Sequence, residues 1–284
     1  MKRVKKPSKK ILAAIVAGAI AAVILITALG LEIAFICADK IVCITPDYDK
    51  IEISALLDKQ TLSDDDYQLL YRQTGLTKIG VDRALERGAT GKQRILDIQT
   101  DYFKERKVKN DKFAPFVCTD RLEGKSHMQN IYLEKGDIIV TSSTHISGVR
   151  IGHSGLVTNA ASGTVLQAMA YGQPTFEGSI RGFTSRVNFM ILRPKVDAKT
   201  RSDVADYALE TFKGVAYDGL LGLFLTNDRT DRTQCAHMIW KSFYDFGIDL
   251  NSGGGLLITP RDIANSPHVE LVQVFGFDPD KLWK

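Results

Sequence analysis

Two stretches of the chain decide its fold: Gly152-His153-Ser154-Gly155-Leu156-Val157 and Gln234-Cys235-Ala236-His237-Met238-Ile239-Trp240. The first has the apolar pattern of a core strand that carries His153, and the second is typical of a helix that starts at Cys235. A thiol is a useful nucleophile as thiolate, which an imidazole partner and a helix N-terminus both favour. The two stretches therefore predict cysteine nucleophile chemistry in a domain that contains both strands and helices.

The sequence around these stretches predicts the rest of the domain. Strands are expected at residues 138–141, 151–158, 164–169, 186–192 and 270–275. Helices are expected at residues 198–212 and 234–246, the second closed by Gly247. Strands bracketed by separate helices are typical of an α+β domain with an antiparallel sheet.

The N-terminal part of the chain predicts a membrane anchor. Residues 11–30 contain no charge, and as a helix they would span about 30 Å, the thickness of a bilayer core. Apolar character resumes after Glu32, so the predicted transmembrane segment covers residues 11–36. The basic tail at residues 1–10 predicts a cytoplasmic N-terminus and an extracytoplasmic body in a single-pass protein of the cell membrane. A cleaved signal peptide is the alternative.

Charge and cysteine usage exclude several classes of function. Outside the tail, which holds six Lys and Arg, the chain has 31 basic and 33 acidic residues, so no nucleic-acid partner is predicted. Cys37 and Cys43 follow the anchor, whereas Cys118 and Cys235 lie in the body. A Cys118–Cys235 disulfide is the alternative to a reactive Cys235 outside the cytoplasm. No metal-ligand cluster appears, so neither a metal nor another cofactor is predicted.

The predicted domains follow from these patterns. Residues 37–60 form a connector, and residues 61–118 form a small helical subdomain that begins with Ser63 as an N-cap. Residues 119–284 form the catalytic domain. The helical subdomain either holds the catalytic domain away from the membrane or acts as a lid or docking surface for substrate.

The chain has five histidines that could act as the general base for Cys235. Helix and strand geometry favours His153. His237 lies two residues after Cys235 on the same helix, where side chains do not face each other. His145 lies in a loop-like stretch that could line a cleft without holding a base in place. A strand holds a general base more rigidly, which favours His153. The alternative for His153 is a buried structural histidine.

Four segments together resemble a known family. They are Gly136-Asp137-Ile138, residues 152–157, Val165-Leu166-Gln167-Ala168 and residues 234–240. In this order they resemble the permuted branch of the NlpC-type, papain-like cysteine hydrolases, with the YiiX/YebB-like proteins as the nearest group. Lecithin:retinol acyltransferase-like proteins share the order of His before Cys. The resemblance covers about residues 130–275, including Thr259-Pro260-Arg261-Asp262-Ile263.

The resemblance implies a fold and a set of roles. The fold would be a circularly permuted papain-like domain with an antiparallel sheet, with Cys235 as nucleophile and His153 as base. The residue that orients the imidazole would be Gln167, where many relatives have glutamate. A neutral Gln accepts the imidazole N–H but cannot stabilise an imidazolium by charge. Tyr217, His237 and His145 are the predicted substrate-side residues.

Three functions follow as expectations. The first is hydrolysis of amide bonds in cell-wall peptides by an anchored extracytoplasmic enzyme. The second is hydrolysis or transfer of a lipid-linked or thioester acyl group on the same fold. The third is a catalytically inactive, anchored binding protein. This alternative remains because the neutral Gln167 cannot stabilise an imidazolium by charge.

Overall fold

The structure is a computed structural model of the 284-residue chain. It describes residues 9–36, 45–114, 117–124, 126–146, 149–219 and 229–283. Most of the predicted basic tail, and both Cys37 and Cys43, lie outside the described residues.

The chain alternates between helical and strand regions. The helices are α1 (Lys9–Ile36), α2 (Ser54–Leu57), α3 (Asp64–Thr74), α4 (Lys78–Leu85), α5 (Ala89–Tyr102), α6 (Arg181–Thr184), α7 (Ala198–Phe212), α8 (Cys235–Tyr244) and α9 (Pro260–Ala264). The strands are β1 (Val108–Ala114), β2 (Val117–Leu122), β3 (Ile138–Thr141), β4 (Thr144–Ile146), β5 (Val149–Arg150), β6 (His153–Asn159), β7 (Thr164–Gln167), β8 (Phe176–Ser179), β9 (Phe189–Pro194), β10 (Ala216–Tyr217), β11 (Arg232–Thr233) and β12 (Val269–Phe275).

Helix α1 is long and apolar enough to cross a membrane. Its segment Leu12–Ile33 has a mean hydropathy of 2.7, and its apolar window is not buried against the rest of the described chain. Twenty-two helical residues span about 33 Å, which matches a bilayer core. A signal sequence has the same length and composition, so both alternatives from the sequence fit this helix.

The main sheet has six strands in the order β12-β9-β3-β6-β7-β8, and every neighbouring pair is antiparallel. A smaller antiparallel sheet has the order β1-β2-β4-β5. Strands β10 and β11 form a short parallel pair. The α+β class with antiparallel sheets, expected from the alternation of strand and helix patterns, is confirmed.

The main sheet is packed on both faces. On one face Ile139, Val157 and Val165 pack with Phe183 and with the apolar residues of helices α3 to α5. On the other face Leu156 and its neighbours pack against helices α7 and α8. Since both faces are covered, strands β3 and β9 are buried at every position instead of alternating between buried and exposed residues.

The helical layer, formed by helices α2 to α5, is continuous with the main sheet. The N–H of Thr77 donates to the carbonyl of Val272 at 3.0 Å, and the N–H of Val274 donates to the carbonyl of Gly75 at 2.8 Å. Backbone bonds therefore tie the α3–α4 turn to strand β12, near the end of the chain.

The predicted helical subdomain at residues 61–118 differs from the structure in its second half. The helices end at Tyr102, and strands β1 and β2 follow. Strand β2 pairs with β4, whose residues come later in the chain, so residue 118 lies inside a sheet and not at a boundary. The polar sequence of β1 gave no apolar alternation, and its pairing supplies the strand conformation instead.

A glycine and a buried ion pair fix the start of strand β3. Gly136 has a φ of +85°, and a Cβ there would lie 2.4 Å from the carbonyl oxygen of Arg201. Asp137 is fully buried, and its two carboxylate oxygens accept hydrogen bonds from Arg193 Nε and Nη2, each at 2.8 Å. This bidentate pair holds β3 against β9, because Arg193 belongs to β9.

Removing the buried carboxylate is expected to destabilise the fold. In Asp137→Ala the Arg193 guanidinium keeps its burial and loses its bidentate partner, so the free energy of unfolding should fall by about 3 kcal/mol. Urea unfolding of the full chain in detergent micelles measures this change. Asp203→Ala removes an exposed pair with Lys199 and is the matched control, with an expected change within about 0.5 kcal/mol. Equal stability of the two variants would contradict the stabilising role of the buried Asp137–Arg193 ion pair.

Candidate functional site

His153 and Gln167 meet across two neighbouring strands. His153 begins β6 and Gln167 ends β7, and His153 Nε2 lies 3.1 Å from Gln167 Oε1. The carbonyl oxygen of Gln167 can only accept, so this contact places the imidazole proton on Nε2 and leaves Nδ1 as the basic nitrogen. Both side chains are buried, which holds the ring in one orientation.

Phe183 packs flat against the His153 ring. The two ring centroids are 5.1 Å apart and the planes differ by 7°. Gly155 makes this packing possible, because a Cβ at residue 155 would lie 2.9 Å from the Phe183 ring and 2.4 Å from Val165. The imidazole is therefore fixed by a hydrogen bond at its edge and by an aromatic ring on its face.

Cys235 begins helix α8, as the sequence predicts. The preceding Gln234 is the N-cap, and its Oε1 accepts the N–H of Ala236 at 2.8 Å. The Cys235 thiol donates to the same oxygen at 3.4 Å. Gln234 Nε2 donates to the carbonyl of Ile258 at 3.1 Å, which anchors the cap. The thiol therefore lies at the positive end of the helix dipole.

The side chain that faces the Cys235 sulfur from strand β6 is Ser154. Its backbone N–H and its hydroxyl both lie where they lower the pKa of the thiol. Ser154 Oγ is buried and has no other hydrogen-bond partner in the described ranges. Ser154 pairs with Val140, on the face that α8 covers, whereas His153 projects to the opposite face with Phe183.

The sulfur therefore lies beside Ser154, the residue after His153 on β6, and it is not hydrogen-bonded to the imidazole. Among the residues that the structure describes, Cys235 makes its side-chain bond to Gln234 and none to His153. The structure brings together the predicted pair His153 and Gln167, and it places the Cys235 sulfur beside Ser154, the next residue of β6. The three roles assigned from the sequence stay predictions.

Burial dominates the electrostatics of the site. Burial raises the pKa of the Cys235 thiol, and the Ser154 N–H and Arg186 oppose this rise. Burial also lowers the pKa of His153 to about 3, with a further decrease from Arg186 and an opposing effect from the Gln167 hydrogen bond. At neutral pH the resting pair is therefore a neutral thiol and a neutral imidazole.

Arg186 is a buried cation that no sequence pattern singles out. Its guanidinium donates to Thr144 Oγ1 at 2.6 Å and to the carbonyl of Gly182 at 3.1 Å. Burial lowers the pKa of Arg186 to about 9, and Cys235 as thiolate opposes that decrease. Arg186 lies in a segment predicted as a strand, and only its burial beside the site reveals its electrostatic role.

Of the predicted substrate-side residues, Tyr217 lies near Cys235. Tyr217 pairs with Thr233 in the β10–β11 pair, which leads directly into α8. Burial raises the pKa of Tyr217, and the Cys235 charge raises it further, so the two groups are within electrostatic reach. The Tyr217 ring also meets Tyr171 edge-on, with ring centroids 5.2 Å apart.

The other two predicted substrate-side residues lie elsewhere. His237 is fully buried, its Nδ1 is 3.0 Å from Thr233 Oγ1, and its ring packs on Trp240, so it has no surface to offer a substrate. His145 lies in strand β4 and not in a loop, with its Nε2 2.8 Å from Cys118 Sγ. The local sequence around His145 is typical of a loop, so it does not predict that β4 pairs with β2. This pairing places His145 beside Cys118.

Cys118 and His145 form a second thiol–imidazole contact on the smaller sheet. Asn110 Nδ2 donates to Cys118 Sγ at 3.1 Å and to Asp120 Oδ1 at 2.8 Å. Burial raises the pKa of Cys118. Cys118 and Cys235 are both free thiols, so the disulfide considered as an alternative is not formed. In the described ranges no group of three or more His, Cys, Asp or Glu side chains could hold a metal ion.

Comparison of the chain with models of protein families, with characterised proteins and with solved structures finds no match. The family resemblance of the four segments therefore stays a prediction, which rests on the residues themselves.

The depressed pKa of His153 should appear in the pH dependence of stability. The folded pKa of about 3 lies below the unfolded value of about 6.5, so only the unfolded chain binds this proton as the pH falls from 6.5. Stability should therefore fall between pH 7 and pH 5 by about 2 kcal/mol more in the wild type than in His153→Gln. Urea unfolding at both pH values measures this difference. Parallel pH profiles would show that His153 titrates normally.

Proposed function

We propose that the chain is an anchored cysteine hydrolase of the permuted NlpC-type, papain-like class that cleaves amide bonds in cell-wall peptides. The observation that carries this proposal is the His153–Gln167 hydrogen bond on adjacent strands, beside a cysteine that begins a helix packed on the same sheet. The order of base, orienting residue and nucleophile is the one that the resemblance implies. Helix α1 would hold the body at the outer surface of the membrane.

The proposed reaction starts from the neutral pair. The side chains of Cys235 and His153 rest on opposite faces of β6, so the thiol must first leave Gln234 Oε1 and turn toward His153 Nδ1. The sulfur then attacks the substrate carbonyl as its proton passes to that nitrogen. The oxyanion forms beside the N–H groups that begin α8. The imidazolium then protonates the leaving amine, and water attacks the thioester to release the acid and regenerate the thiol.

Groups around the sulfur and around the imidazole ring assist this reaction. The Ser154 N–H and hydroxyl stabilise negative charge on the sulfur, and the Arg186 cation acts in the same direction. Gln167 holds the Nε2 side of the ring, so that Nδ1 stays free to accept the proton. Since Gln167 carries no charge, the imidazolium exists only while the reaction proceeds.

The direct test is release of fragments from purified cell wall by the full chain in detergent micelles. Cys235→Ala should reduce the rate by at least about 10³-fold, because the nucleophile is lost. Cys118→Ser is the matched control, since this thiol lies on the smaller sheet, and it should keep its activity. Equal products from the wild type and Cys235→Ala would disprove the proposal. Activity on acyl-ester reporters alone would assign the lipid or thioester substrate instead.

A second candidate is a catalytically inactive, anchored binding protein. It is favoured by the raised pKa of Cys235, by the lowered pKa of His153 and by the hydrogen bond of the thiol to Gln234. A thiol held in this way is a weak nucleophile at neutral pH.

The pH dependence of thiol labelling separates the two candidates. In both, the raised pKa predicts that the rate of Cys235 alkylation by iodoacetamide increases about tenfold per pH unit from pH 6 to pH 9, without a plateau. His153→Gln should slow labelling only if the imidazole accepts the thiol proton. Peptide mass spectrometry follows Cys235 and the internal reference Cys118 in the same sample. A plateau below pH 7 would instead show a preformed thiolate–imidazolium pair.

A further inference from the structure

A cavity of about 730 Å³ lies between the helical layer and the main sheet. Its walls come from the α4–α5 region, from the segment before β3, from the β6–β7 turn and from the first turn of α7. The β6–β7 turn is at the opposite end of β6 from His153, roughly 20 Å away for a seven-residue strand. The cavity is therefore separate from the candidate catalytic site.

Two arginines at this cavity have no acidic partner. The guanidinium carbons of Arg87 and Arg94 lie 5.4 and 5.3 Å from the centre of the Tyr132 ring, which both contact. Neither arginine forms an ion pair with any residue in the described part of the chain. The acidic residue in the wall, Glu134, is already shared by Arg83, Arg193 and Arg201. The cavity therefore carries surplus positive charge.

Two buried guanidinium N–H groups in the wall have no acceptor. Arg94 donates through Nη2 to the carbonyl of Ile131 at 2.6 Å, but its buried Nε has no partner. Arg201 is 5% exposed and donates to Val196 and Glu134, and its Nε is likewise without a partner. Buried charged donors that lack an acceptor are unfavourable, so a nearby anion would lower the cost of holding these two guanidinium groups in the wall.

The rest of the wall is suited to an apolar group. Ile131, Leu133 and Ile180 line the cavity together with the small side chains of Ala160 and Ala161. Ala198, at the start of the 15-residue helix α7, completes this part of the wall. The wall therefore combines apolar side chains with charged and polar ones, and the joint of two structural layers is a common position for a small-molecule site.

We infer that this cavity binds a small organic anion. Its carboxylate or phosphate group lies between Arg87, Arg94 and Arg201, and its apolar part lies against Ile131 and Ile180. The ligand joins the helical layer to the β6–β7 turn and to α7, so its binding stabilises the folded chain. This inference is independent of the hydrolase proposal, because it concerns other residues and is measured by binding.

Binding of phenyl phosphate and of benzoate to the full chain in detergent micelles tests the inference. Isothermal titration calorimetry should show saturable binding of at least one of these anions, and the thermal unfolding midpoint should rise with its concentration. Benzyl alcohol, which has the ring without the charge, should bind at least about tenfold more weakly. Preference between the two anions distinguishes a phosphate-bearing from a carboxylate-bearing ligand.

Three variants complete the experiment. Arg87→Gln changes an exposed side chain and should fold normally, and it should weaken anion binding by about tenfold or more, as should Arg94→Gln. Arg72→Gln, on α3 and outside the cavity wall, is the matched control and should bind as the wild type does. The inference is overturned if neither anion binds by about 10 mM, if benzyl alcohol binds equally well, or if Arg87→Gln binds like Arg72→Gln.

Discussion

Strand β6 runs through the middle of the main sheet with packed side chains on both of its faces. Successive side chains of a strand point to opposite faces. His153 therefore points to the face that holds Phe183, and Ser154 points to the face that α8 covers. A shift of the β6 pairing by one residue would exchange these two side chains and would move Leu156 and Val157 into the wrong cores. The apolar packing that stabilises the sheet therefore also determines which polar side chain meets the thiol.

The same burial controls the chemistry of the site. Removing water from His153 and Cys235 favours their uncharged forms, whereas Arg186, with a pKa of about 9, is still charged at neutral pH. The site thus holds one buried cation beside two neutral reacting groups. Such an environment favours the anionic states of a reaction, the thiolate and the oxyanion, more than the imidazolium that accompanies them. Gln167, being neutral, leaves that balance unchanged.

Much of the fold could be predicted because long elements carry their own periodicity and caps. Helix α7 has the expected bounds, residues 198–212, with Asp197 as its N-cap, and the α8 helix begins at Cys235. Strands β1, β2 and β4 could not be predicted, because their conformation depends on pairing between distant segments with polar sequences. His145 was misplaced for this reason. Arg186 was missed because its influence comes from burial, which no local pattern encodes.

The backbone bonds between the α3–α4 turn and strand β12 also have a consequence for how the chain is made. Gly75 and Thr77 form backbone hydrogen bonds with Val274 and Val272, almost two hundred residues later in the chain. Helices α2 to α5 are therefore synthesised well before β12 and cannot complete their core until that strand has been synthesised. Contacts of such long sequence separation slow folding and keep apolar surface exposed in the interim. The helical layer and the main sheet thus form one cooperative folding unit, which is completed only once β12 has joined it.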